Sequence, residues 1–168
     1  MRIVIVPGTL ALLPEYASLE DPIPELRKAV DEAVAWLLED GGARVLPGAF
    51  PAGARIGRHL LGHDVDRGPG LLVIGTGSAM RTEKAPGHFD PGAEEFDAYV
   101  GRALAAGDRD AIDGIDSGRG GELWADVEDI KELGSDRGDS FTVTSVQVDY
   151  DDAPYGVQYW VVRWNSGG

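Results

Sequence analysis

The stretch GLLVIGTGSAMRTEKAPGHFDPGAEEFDAYVGRALAAG, residues 70–107, decides the architecture. Leu71-Leu72-Val73-Ile74 is a short continuous apolar run, the pattern of a strand buried on both faces. Gly75-Thr76-Gly77-Ser78 bends the chain, and a polar loop follows through Arg81, Glu83, Lys84, Pro86 and Gly87. Asp90-Pro91 then opens a helix, in which Phe96, Tyr99, Val100, Ala103 and Leu104 recur at helical spacing and Gly107 supplies the stop. Strand, turn, polar loop and helix in that order set functional groups at the carboxyl end of a sheet strand, where open α/β folds bind their ligands.

Outward from this stretch, Ile3-Val4-Ile5-Val6 is a second buried strand, ended by Pro7-Gly8. Residues 9–21 are expected to be a long loop. After Pro22 and Pro24, the apolar stripe of Leu26, Val30, Ala33, Val34, Leu37 and Leu38 predicts a helix, with Glu25 in its first turn and Gly41-Gly42 as its stop. Residues 43–46 form a short strand. Residues 47–57, rich in Gly, Pro and Ala, read as loop, and residues 56–61 as a short helix. Residues 110–133 read as one or two short helices interrupted by Gly118-Arg119-Gly120-Gly121. Residues 141–150 and 157–164 are long β-rich runs, and the link between them is too long for a two-residue turn. They are expected to pair antiparallel. The sum is a single α/β domain over residues 1–168. Its sheet is mixed and mostly parallel, of about five strands, with helices on both faces and a C-terminal antiparallel strand pair.

Composition bounds the function. The chain has 168 residues, 43% of them hydrophobic, so one folded domain with its own core is expected. Lys plus Arg number 15 against 29 Asp plus Glu, a formal net charge of −14. A field of that sign repels phosphate backbones and anionic lipid, so neither nucleic acid nor a membrane surface is an expected partner. There is no cysteine, which excludes disulfides, thiolate metal sites and a cysteine nucleophile. The first apolar run is too short for a signal peptide, and no stretch is apolar for long enough to span a membrane. A cytoplasmic protein is expected.

Several residues carry candidate chemistry. His59 and His63 are four apart, the helical spacing that aims two imidazoles at one metal, and Asp64 and Asp66 could add oxygens. No Glu follows the first His, however, and Gly62 lies between the two; the competing reading is a pair of solvated surface histidines. Gly75-Thr76-Gly77-Ser78 reads either as a nest of N–H groups for an anion or as a tight turn needing positive φ. A dinucleotide fingerprint would need glycine at Met80. Ser78 lacks the glycines of a nucleophile elbow. Glu83 and Lys84 read either as an acid/base pair or as an exposed ion pair. Asp90 reads as an N-cap. Asp149, Asp151 and Asp152 could hold a hard cation or crowd a solvated turn. Tyr155-Gly156 places an aromatic hydroxyl beside a permissive backbone.

Taken together, these motifs resemble a known family. Gly75-Thr76-Gly77-Ser78, Arg81-Thr82-Glu83-Lys84-Ala85-Pro86-Gly87, Asp90-Pro91, Phe96-Asp97 and Ala103-Leu104-Ala105-Ala106-Gly107-Asp108 are similar to the small-protein branch of the class III extradiol ring-cleavage dioxygenase (LigB-like) superfamily. Leu12-Leu13-Pro14-Glu15, Ala153-Pro154-Tyr155-Gly156-Val157 and Trp164 resemble that branch too. The chain is short for the family, the shortening falling between the second and third strands. The resemblance implies a mixed sheet with helices on both faces. It implies that active members bind non-haem iron(II) through two histidines and a carboxylate. In those members a ligand histidine follows the first strand in a Pro-His-Pro-like turn, and a histidine for proton transfer follows a later strand. Here the first turn is Pro7-Gly8-Thr9, the second position falls near Gly77-Ser78-Ala79, and Thr76 replaces the usual Asp.

The expectation is therefore a degenerate, non-catalytic relative with no cofactor. It would retain a cleft lined by Thr9, Thr76, Ser78, Glu83, Lys84 and Tyr155 for a small molecule or a protein partner, and a homo-oligomer is possible. One alternative is an active dioxygenase or hydrolase using Fe(II) or Zn on rearranged ligands, His59, His63 and aspartates. A second is a structural or regulatory component of a hetero-oligomer.

Overall fold

The structure is a computed structural model that describes residues 1–46, 48, 51–135 and 140–168. Five strands form one sheet in the order β2-β3-β1-β5-β4, where β1 is Arg2–Val6, β2 Ala43–Val45, β3 Gly70–Ile74, β4 Thr142–Asp152 and β5 Tyr159–Gly167. The β2, β3 and β1 strands run parallel, with Ile3 beside Leu71 and Val6 beside Ile74. The β5 strand runs antiparallel to β1, with Ile3 opposite Trp164, and β4 pairs antiparallel to β5 at the edge. The expected mixed α/β domain with its antiparallel C-terminal pair is what forms.

Alternation along the strands builds two cores. Ile3, Ile5, Leu71, Val73, Trp160, Val162 and Trp164 point to one face. There they meet α3 (Ala93–Ala106) and the short helices α4 (Arg109–Asp113), α5 (Ser117–Glu122) and α6 (Glu128–Glu132). Val4, Val6, Leu72, Ile74, Tyr159 and Val161 point to the other face, against α1 (Pro24–Leu38) and α2 (Pro51–Leu61). Residues such as Leu72 and Leu104, fully buried, each contribute about 1.5–3 kcal/mol. Trp164 also donates its indole N–H to the Leu104 carbonyl at 3.0 Å, fixing β5 to the last turn of α3. Among the described residues, no helix is long and apolar enough to cross a membrane.

Local expectations fail where small residues read as loop. The α2 helix starts at Pro51, five residues before the expected start. Of its glycines, Gly57 is a packing device, since a Cβ there would lie 2.7 Å from Val45, whereas one on Gly53 would meet Ile74 at an ordinary 3.4 Å. The earlier part of that expected loop, residues 47, 49 and 50, lies outside the described residues. Gly118 to Gly121 do not interrupt a helix but lie inside α5. Asp116 caps that helix by accepting the Arg119 N–H at 2.9 Å, and Gly120 lets Phe96 and Val127 approach to 3.2 Å of its missing Cβ. Three short helices stand where one or two were expected. Residues 9–21 are not wholly irregular, since 3-10 turns form at Leu10–Leu12 and Pro14–Tyr16. The α3 helix begins at Ala93 rather than at Pro91, because Asp90 first closes its own turn by accepting the Gly92 N–H at 2.8 Å.

Candidate functional site

The bend after β3 lies at the carboxyl end of the parallel strands, and every N–H in it is spoken for. Gly75 donates to Val6 at 2.9 Å, Thr76 to Asp126 at 2.8 Å, Gly77 to Gln158 at 2.9 Å, and Ser78 to the Asp97 carboxylate at 2.8 Å. That leaves no anion nest. Nor is this a positive-φ turn, since neither Gly75 nor Gly77 has positive φ. Both glycines are there for room: a Cβ on Gly75 would lie 2.5 Å from Ile130, and one on Gly77 would lie 2.6 Å from Gln158.

Around this bend a polar network runs into the interior. Asp97 projects from α3 with its side chain 1% exposed. It accepts the Ser78 hydroxyl at 2.6 Å as well as the Ser78 N–H, and Arg81 Nη1 approaches it at 3.5 Å. Burial pushes the Asp97 carboxyl above its ordinary value, and its bonds from Ser78 and the charge of Arg81 pull the other way. Arg81 Nη1 also donates to Gln158 Oε1 at 2.7 Å, and Gln158 Nε2 donates to Asp151 Oδ1 at 2.7 Å. Gln158, almost wholly buried, thus passes orientation from the loop after β3 to the end of β4.

These groups line a cavity of about 390 Å³ between α3 and the start of the β4–β5 hairpin. Glu94, Gly101 and Arg102 of α3 form one wall, and Asp151 and Asp152 form the other. The volume sits at the small end of ligand pockets, which span roughly 300–1,000 Å³.

The six residues expected to line one cleft are dispersed. Thr9 caps the turn after it, accepting the Ala11 N–H at 3.4 Å. Thr76 accepts the Gly8 N–H at 2.8 Å, tying the ends of β3 and β1 together. Ser78 is fully buried on Asp97 and presents nothing to solvent. Glu83 and Lys84 are exposed on the polar loop. Tyr155, 68% exposed and at φ +57°, donates its hydroxyl to the Pro22 carbonyl at 2.9 Å. None of the six lines the 390 Å³ cavity. Sequence reasoning missed Arg81 as a wall residue, and with it Asp97, Gly101 and Gln158. The readable signals were an acid and a glycine on α3 at i and i+4, in phase with Leu104 on the buried face.

The metal candidates also separate. Asp149 is gripped by Arg163 at 2.7 Å through both oxygens, Asp151 by Gln158, and Asp152 caps the Ala153 N–H at 2.8 Å. His59 on α2, His63 in the following turn and His88 in the polar loop are all exposed. Among the described residues, no three His, Asp or Glu side chains are placed to hold a metal ion. The turn after β1 offers a Gly8 N–H already donated to Thr76, and no imidazole, so the residues present there do not fit non-haem iron.

One further acid stands out. Asp126 bridges to Thr76 through its backbone, while its buried Oδ2 has no hydrogen-bond partner among the described residues. Burial, then the charges of Asp129 and Glu128, push its carboxyl up to about 6.

No protein-family model matches this chain, and no curated protein is significantly similar to it.

Proposed function

We propose that this protein is a binding protein derived from the class III extradiol dioxygenase fold, without ring-cleavage activity, and that it takes a small polar ligand in the cavity beside α3. The observation that carries this reading is the chain of contacts from Asp97 through Arg81 and Gln158 to Asp151. It holds charged groups in fixed positions on the cavity walls while leaving outer atoms of Arg81 and Asp151 facing the open space. Pre-oriented polar groups of this kind lower the ordering cost of binding. The absence of an imidazole at Gly8 and Thr9 supports the non-catalytic half of the reading, because oxygen-activating iron needs such donors.

Two measurements test it. Protein loaded with ferrous iron under argon and then mixed with catechols and air should consume no oxygen above the protein-free control. A thermal-shift screen of polar metabolites should find a compound that stabilises the wild type and not Arg81→Ala. Saturation at a hundred times Kd stabilises a fold by about 2.7 kcal/mol, well within reach of such a screen. Ring-cleaved product in the first measurement, or no stabilising compound in the second, would overturn the reading.

A second reading, a regulatory component of a larger assembly, draws on Phe89 and Trp124, 55% and 61% exposed near the same end of the sheet. Light scattering of the protein with its host extract fractions would favour it if a defined complex formed through those rings.

A further inference from the structure

A second cavity, of about 300 Å³, shares no lining residue with the one beside α3. It opens between the loop after β1 and α2. Leu12, Leu13, Tyr16 and Ala17 line it, with His59 on the α2 side. Ser18 and Asp21 also line it, and between them in the chain stands Leu19, fully exposed to solvent. A leucine in that state forgoes burial worth about 1.5–3 kcal/mol. Its segment is braced on both sides. The Ser18 hydroxyl donates to the Glu20 carbonyl, and the Asp21 carboxylate accepts the Ile23 N–H at 3.0 Å and Arg27 Nε at 2.8 Å. An apolar knob is thus held outward beside an apolar hole on the same face.

Charge on this face is divided between two elements. Residues 9–21 carry Glu15, Glu20 and Asp21 and no Lys or Arg, whereas α2 carries Arg55, Arg58 and His59 and no acid. Two of the acids are spent within the chain, Glu15 on Arg55 and Asp21 on Arg27. Among the described residues, the Glu20 carboxylate and the Arg58 guanidinium make no hydrogen bond or ion pair, and both are exposed. Glu20 follows the knob, and Arg58 precedes a residue of the hole. In a chain of net charge −14, most faces of two copies repel each other. This face instead offers an unspent acid and an unspent base.

We propose that two copies of this chain pair about a two-fold axis through this face, Leu19 of each entering the cavity of the other and Glu20 of each meeting Arg58 of the other. Knob and hole on one patch are what an isologous contact needs, because the same surface serves both partners. The contact is independent of the cavity beside α3, so its failure leaves the ligand-binding reading untouched.

Sedimentation velocity of the full chain over a range of concentrations tests it. The wild type should show a monomer–dimer equilibrium with Kd below about 200 µM. Leu19→Asp, at a position with no packing to lose, should weaken the dimer about tenfold or more. Glu20→Arg lowers the net negative charge, so general repulsion alone predicts a tighter dimer; pairing with Arg58 predicts one weaker by about threefold or more. Arg58→Glu should weaken it likewise. The double variant Glu20→Arg with Arg58→Glu keeps the net charge and exchanges the partners, and it should return to within about twofold of the wild type. A wild type that stays monomeric overturns the proposal. So does a dimer indifferent to Leu19→Asp, or a double variant no tighter than the weaker single one.

Discussion

At the scale of single residues, two acids at the carboxyl end of the sheet meet opposite fates. Asp97 is nearly sealed from solvent but accepts from Ser78 twice and from Arg81, so its burial is largely offset. Asp126 is less enclosed, yet one of its oxygens has no partner among the described residues and two like charges stand nearby. Its carboxyl is raised from 3.8 to about 6. A raised carboxyl favours the folded state in its protonated form, so that stability is fully present below 3.8 and is lost as pH rises through about 6. Asp126→Asn keeps the shape without the charge. At pH 8 it should therefore stabilise the protein by about 1–2 kcal/mol, a figure reduced to allow for the residue's partial contact with solvent. Near pH 3 the gain should vanish, because both side chains are then neutral. Urea midpoints at the two pH values check this, and an equal or lower midpoint for the variant at pH 8 would sink it. Neither acid stands out in the sequence. Asp97 is visible there only as part of Phe96-Asp97, and Asp126 lies where apolar spacing is weak, so nothing local separates it from a solvated acid.

At the scale of elements, strands and long helices were legible because burial on one or two faces imposes a period. The α1 stripe and the runs that became β1 and β3 are direct prints of that constraint. Glycine was the weak point. In Gly57, in Gly120, and in Gly75 and Gly77, it serves close packing, which depends on neighbours distant in sequence and leaves no local mark. Gly107 is the opposite case, a helix stop readable in the sequence and realised at φ +63°. It also faces β4, since a Cβ there would lie 2.7 Å from Val143. Gly107→Ala therefore meets two obstacles, a left-handed backbone that costs a non-glycine residue roughly 1–2 kcal/mol and a contact that α3 and β4 must open to relieve. A loss of at least about 1 kcal/mol is expected in chemical denaturation. A variant as stable as the wild type would mean that α3 and β4 are more loosely apposed than the structure has them.

At the scale of the whole molecule, charge sets the terms. A formal net charge of −14 on 168 residues makes the folded state repel itself, more than an expanded chain would. The ion pairs that oppose this are unequal. Arg163–Asp149 is mostly buried and held at 2.7 Å, so salt screens it little. Lys28–Glu32 at 3.9 Å, open to solvent, is of the kind worth well under about 1 kcal/mol and is readily screened. Screening should then remove more repulsion than attraction. Raising sodium chloride from about 10 mM to 200 mM shortens the Debye length from roughly 30 Å to under 10 Å, below the span of the domain. If that relieves about 1 kcal/mol, Tm should climb by about 2–4 °C for a chain of this size. Scanning calorimetry in sodium chloride and in tetramethylammonium chloride separates general screening, which both salts provide, from binding of sodium at the carboxylates around the cavity. Equal rises in both salts are the expected result, and a falling Tm in either would show that surface ion pairs, rather than net charge, govern this fold.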